Sequence, residues 1–134
     1  AGSVGNKYVD MAKRYIDENC GEYIKVEDVA EKFGVDRKYL RNLFFKYLGI
    51  STKDYLTKVR IEKAKELLSQ NSVAVGEIAS AVGYTDALAF SKIFKKHVGV
   101  SPSDYRNGVA DNKFEENAEE TPKPQKEDIK YFLL

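Results

Sequence analysis

The chain writes one pattern twice. VEDVAEKFGVDRKYLRNLFFKYLGIS starts at Val26, and VGEIASAVGYTDALAFSKIFKKHVGVS starts at Val75. The offset between the copies is 49 up to Val35 and Tyr84 and 50 from Asp36 and Asp86 onward, with Thr85 as the added residue. An internal repeat restricts the fold more than any single segment, because each copy must form the same supersecondary unit. The apolar spacing inside each copy is helical. Val26, Val29, Ala30 and Phe33 line a short helix ended by Gly34, and Leu40, Leu43, Phe44, Tyr47 and Leu48 line a longer one closed by Gly49. In the second copy Val75, Ile78, Ala79 and Val82 precede Gly83, and Phe90, Ile93, Phe94, His97 and Val98 precede Gly99. A short helix, a tight glycine-containing turn and a longer helix make a helix-turn-helix pattern.

The flanking segments complete a helical plan. Tyr8, Val9, Ala12, Tyr15 and Ile16 share one face of a leading helix, which ENCGEY stops, with Gly21 as its C-terminal residue. STKD at Ser51 reads as a capping box opening a helix that runs to about Ser69. Tyr55, Leu56 and Val59 lie on one side of that helix, and Ile61, Ala64, Leu67 and Leu68 lie roughly on the other. A stripe that changes sides suits a rigid connector packed on one lobe and then on the next. SPSD at Ser101 is a second capping box, with Pro102 at the favoured first helical position. The predicted fold is all-α, with about seven helices. Residues 1–6 read as a cloning scar or linker, 7–50 as a first helix-turn-helix lobe, 51–70 as the connecting helix, 71–108 as a second lobe and 109–134 as an acidic, flexible tail.

Composition removes several function classes. A chain of 134 residues is one domain or two very small ones. Its longest apolar runs fall far short of a membrane span, and no signal peptide is visible. From Asn107 to Leu134 four Lys accompany seven Asp or Glu, so residues 1–106 carry a net charge of +4 and the tail −3. A single Cys, Cys20, permits no internal disulfide and fits a reducing cytoplasm. One His and one Cys provide no metal cluster, and no Gly-rich loop resembles a phosphate cradle. Glu27, Asp28 and Glu31 sit at a helix start, where acids suit the dipole. His97 falls on an apolar stripe, as a packed core histidine would. No enzymatic activity, cofactor or metal is expected.

The second copy carries a specific set of residues: Ile78-Ala79, Gly83-Tyr84, Asp86, Phe90-Ser91-Lys92, Phe94-Lys95-Lys96, Gly99, Ser101-Pro102 and Tyr105-Arg106. With them the chain resembles, over about residues 7–106, the C-terminal DNA-binding domain of the AraC/XylS family of bacterial transcription regulators. The resemblance implies sequence-specific binding of a double-stranded DNA operator, with two recognition helices in successive major grooves of one DNA face. It implies a cytoplasmic, nucleoid-associated regulator, with RNA polymerase as a second candidate partner and no membrane. It also implies a fragment of a larger sensor-regulator, whose sensor domain and dimerisation element lie outside this chain; a whole small regulator is the alternative. DYLTKVRIEKAKELL looks most like regulators of carbohydrate use. The rival from another class is a protein-interaction module, which would lack the steep salt dependence of DNA binding.

Geometry agrees with the resemblance. A connector of about 18 residues is about 27 Å long, and recognition helices on one DNA face stand about 34 Å apart. On the longer helix of the first copy, Arg37, Lys38, Arg41 and Asn42 point away from the apolar stripe. Arg and Lys suit guanine edges and Asn suits adenine. The family's base-reading positions fall on Lys38, Arg41 and Asn42, and in the second copy on Leu88, Ala89 and Lys92, beside Ala87. Lys25, Arg37, Lys46, Lys95, Lys96 and Arg106 are the phosphate candidates. Departures from the family pattern are Ala89 for an aromatic or polar residue, Lys92 for Arg, and Phe45 for a basic residue. Lys25 and Ala74 stand where Ser or Thr is frequent and cannot cap, at about 0.5–2 kcal/mol each. Water or a DNA phosphate would then supply the missing acceptor. The two copies are thus armed unequally.

Overall fold

A computed structural model gives the fold and describes residues 4–70 and 72–108. Seven helices follow one another among these residues: α1 (Val4–Asn19), α2 (Val26–Lys32), α3 (Arg37–Leu48), α4 (Thr52–Gln70), α5 (Val75–Ala81), α6 (Ala87–Val98) and α7 (Pro102–Arg106). The segment expected to form an acidic tail lies outside the described residues. The chain divides into two units between Arg60 and Ile61, inside α4. No helix of the described residues is long and apolar enough to cross a membrane.

The first unit packs α1, α2, α3 and the first part of α4 around Val9, Ala12, Ile16, Cys20, Val29, Leu40 and Phe44. Residues 4–6, expected to belong to a scar or linker, are helical. Gly5 lies so near α3 that an added Cβ would stand 2.8 Å from Leu43 Cδ2, so the start of α1 is part of the packing. Gly21 does not take the left-handed conformation expected of a C-terminal glycine. Asn19 ends α1 instead, its side-chain Nδ2 donating to Tyr15 O at 2.9 Å.

Two side chains of α4 reach back into this unit. Arg60 is buried, and its guanidinium donates from Nε to Cys20 O at 3.0 Å and from Nη2 to Glu22 O at 3.0 Å and Ile24 O at 3.1 Å. One planar fork thereby satisfies three carbonyls of the irregular α1–α2 connection, which has no ladder of its own. Tyr55 donates its hydroxyl to Asp17 Oδ1 at 3.0 Å. Partial burial, and then the adjacent Asp17 carboxylate, push the Tyr55 phenol well above its ordinary value. A raised acid favours the fold while it is neutral. The stabilisation is therefore complete below the unfolded value of about 10 and is lost as pH rises beyond it. The urea midpoint of the wild type should fall more steeply from about pH 9.5 to about pH 11 than that of Tyr55→Phe; parallel curves would remove Tyr55 from the account.

The second unit repeats the plan with Ile61, Ala64, Leu68, Ile78, Ala79, Val82, Phe90, Phe94 and Val98 buried together. The repeat extends to single bonds. Val35 N donates to Ala30 O at 3.0 Å in the first helix-turn-helix, and Tyr84 N donates to Ala79 O at 2.9 Å in the second. Gly49 and Gly99 end α3 and α6 at φ 81° and 103°, where a Cβ would be strained. Ser51 Oγ accepts from Asp54 N at 3.0 Å, and Ser101 Oγ accepts from Asp104 N at 3.1 Å, as both capping-box signals predict. His97 departs from expectation, because it is exposed. The buried stripe of α6 is Phe90, Phe94 and Val98 with Ile93 at its edge, and His97 lies one turn past that edge.

Candidate nucleic-acid interface

The face of α3 opposite its core is built by subtraction. Leu40, Leu43, Phe44 and Leu48 are buried, and Arg37, Lys38, Tyr39, Arg41, Asn42, Phe45 and Lys46 are exposed. Asp36 fixes the helix start, its Oδ2 accepting from Lys38 N at 2.9 Å and Tyr39 N at 3.4 Å. On this face Lys38, Arg41, Asn42 and Phe45 form one stripe at spacings of three and four residues.

The basic side chains of the first unit are not equally available. Arg37 Nη1 donates to Glu27 Oε2 at 2.7 Å. A hydrogen bond from its own backbone holds the Glu27 carboxyl below the usual carboxylate range, with Arg37 and Lys25 adding to the effect. Arg37 thus enters any phosphate contact already shared with a carboxylate. Among the described residues no carboxylate pairs with Arg41; its guanidinium carbon lies 4.9 Å from the centroid of the Phe45 ring. Lys46 Nζ lies 5.4 Å from the Tyr47 ring, and Lys25 is exposed ahead of α2. The Lys25 side chain offers no cap, as expected. The α2 start still gains a partner, because Asp28 Oδ2 accepts from Lys25 N at 2.8 Å, a bond that the sequence reading overlooked. Ala74 gives α5 no side-chain cap.

In the second unit Asp86 repeats the role of Asp36, its Oδ1 accepting from Leu88 N at 2.9 Å and Ala89 N at 3.3 Å. Leu88 is 65% exposed, Ala87, Lys92, Lys95 and Lys96 are exposed, and Ala89 is half-buried. The outward start of α6 is therefore apolar, with its cations further along. Arg106, the remaining phosphate candidate, is half-buried and already bonded within its own unit. Its Nε donates to Leu68 O at 3.4 Å, and its Nη2 is buried. The last carbonyls of a helix have no intrahelical donor, and Arg106 is drawn inward to one of them. Each unit thus has an arginine that reaches a carbonyl about 38 residues back along the chain.

Sequence reasoning found the polar stripe of α3 and missed Asp36 and Asp86 as caps. An Asp directly before a helical apolar run was the available signal. Arg60 was missed because an Arg on a long helix reads as a solvated side chain, and its partners lie 36–40 residues away along the chain.

Comparison with known proteins bears on this geometry. A family model described as a helix-turn-helix domain matches residues 29–108. The Msm operon regulatory protein of Streptococcus mutans is 37% identical over 105 residues, covering 78% of this chain and 38% of that protein. The lactose operon transcription activator of Staphylococcus xylosus is 41% identical over 107 residues, covering 80% and 38%. The chain therefore spans under two fifths of the length of these relatives. Among solved structures, the C-terminal domain of AraT, a response regulator from Geobacillus stearothermophilus, superposes with a TM-score of 0.75 at 40% identity, covering 79% of this chain and 88% of that one. With a helix-turn-helix in each unit and relatives of this kind, the chain belongs to the AraC/XylS family of transcription regulators and is its DNA-binding domain.

Proposed function

We propose that α3 and α6 enter successive major grooves on one face of an operator, and that they divide the work unequally. The carrying observation is the stripe of Lys38, Arg41 and Asn42, exposed opposite the buried Leu40, Leu43 and Phe44 in the second helix of a helix-turn-helix. Arg and Asn offer bidentate hydrogen bonds to guanine and adenine edges. The first unit accordingly carries most of the hydrogen-bonded base reading. The second unit presents Ala87, Leu88 and Ala89 to thymine methyls, has Lys92 as its strong polar reader, and is held by phosphate contacts of Lys95 and Lys96. Lys25, Lys46 and a shared Arg37 hold phosphates beside the first unit.

One of these relatives is named as the activator of a lactose operon, which supports a role for the whole protein in controlling genes of carbohydrate use. In that reading this chain addresses the DNA, further parts of a longer protein sense the signal, and RNA polymerase is a partner. The chain acts by binding and performs no catalysis.

A scan of single base-pair substitutions across a site selected from random duplexes tests the division. Large penalties should cluster in the half-site under α3, and the half-site under α6 should show mainly a preference for thymine. Arg41→Ala should cost about 1–3 kcal/mol and erase the preference at one base pair. Equal loss on all sequences would make Arg41 a phosphate contact, and strong penalties at G·C pairs under α6 would refute the division. The logarithm of affinity should also fall steeply and linearly with that of salt; a flat response would favour a protein-interaction module.

A further inference from the structure

Phe45 is an anomaly on α3. It is a large apolar ring, 43% exposed, on the face that otherwise carries Lys38, Arg41, Asn42 and Lys46. The core does not use it, since the buried stripe runs through Leu40, Leu43, Phe44 and Leu48. It stands four residues beyond Arg41, and the Arg41 guanidinium lies over its ring at 4.9 Å. We propose that Phe45 is a positioning residue for base reading: its ring face holds the Arg41 guanidinium on the groove-facing stripe of α3. The inference rests on the reading of Arg41 as a base contact.

An exposed arginine has many rotamers, and ordering it on a base edge costs side-chain entropy. Two hydrogen bonds to guanine need a planar fork at one angle, and a ring beneath the guanidinium removes rotamers before DNA arrives. The attraction between a cation and a ring face also grows when water is removed, as happens when α3 enters the groove. A phenyl ring has no nitrogen or oxygen acceptor, so it holds the cation without taking the place of a base edge at the guanidinium donors. Arg37, paired with Glu27 through one of its donors, is held by a carboxylate that competes with DNA. Arg41 is held by a group that does not compete for hydrogen bonds.

The test is a double-mutant cycle on the domain, with a duplex selected by the wild type and four variants of the base pair that Arg41→Ala identifies. Phe45→Leu keeps an apolar side chain and removes the ring face. It should weaken binding about five- to thirtyfold, and the loss should fall mainly on discrimination at that one pair. In the Arg41→Ala background Phe45→Leu should change nothing further. Phe45→Tyr, which keeps the ring, should bind like the wild type. Circular dichroism and thermal melts of each variant separate these effects from unfolding. A loss from Phe45→Leu that persists undiminished in the Arg41→Ala background would mean that Phe45 touches DNA directly, and would overturn the proposal. So would Phe45→Leu that folds and binds with unchanged discrimination. If Arg41→Ala itself shows no base-pair preference to lose, the reading of Arg41 falls first and the role of Phe45 falls with it.

Discussion

Arg60→Ala should lower the stability of the first unit by about 2–4 kcal/mol. The guanidinium makes hydrogen bonds to Cys20 O, Glu22 O and Ile24 O, all at 3.0–3.1 Å, from a buried position. Hydrogen bonds from a charged group contribute about 1.5–3 kcal/mol each, less than additively when they share one donor group. Truncation also strands acceptors of the α1–α2 connection, although water reaches the exposed Glu22. Arg60→Lys should recover little, because a single ammonium cannot serve three carbonyls set out for a planar fork. Urea unfolding combined with amide exchange in α1 and α2 measures the effect. A midpoint shift worth less than about 0.5 kcal/mol, the ordinary size for a surface substitution, would show that the clamp is ornamental.

The second large effect concerns α4 and rests on the proposed docking of both units on one DNA. One alanine inserted between Arg60 and Ile61 turns everything after it by about 100° and advances it by about 1.5 Å. Each unit keeps its own core in register, since Leu56 and Val59 precede the insertion and Ile61, Ala64 and Leu68 follow it. Each should therefore unfold as before. Binding to a two-half-site duplex should weaken about a hundredfold or more, the size of the gain that linkage provides when geometry permits both contacts. The footprint should shrink to one half-site. Unchanged affinity with a full footprint would show that α4 sets no spacing.

What was legible in the sequence was what depends on near neighbours along the chain. The period of Leu40, Leu43, Phe44 and Leu48, the left-handed Gly49 and Gly99, and the caps at Ser51 and Ser101 are all fixed within a few residues. The polar stripe of α3 was legible for the same reason, being the complement of its core. Hidden features depend on distant partners. Arg60 meets carbonyls 36–40 residues away, and Arg106 meets one 38 away. No local pattern distinguishes such an arginine from a solvated one. His97 misled because the period places it near the stripe, and only the packing around α6 decides how wide that stripe is. Phe45 lies between these cases. Its departure from the core stripe was visible, but the guanidinium above it requires a rotamer that sequence does not specify.

The division of the two cores inside one helix has a consequence for how the domain responds to heat. Each core gathers its own residues, and α4 supplies both. Occupancy of an operator that needs both units then scales with the product of two folding equilibria, while helix content reports something nearer their mean. As the temperature rises, the capacity for tight binding should fall faster than the helix signal. A destabilising substitution in the weaker unit should abolish tight operator binding at temperatures where the other unit still keeps its helix signal.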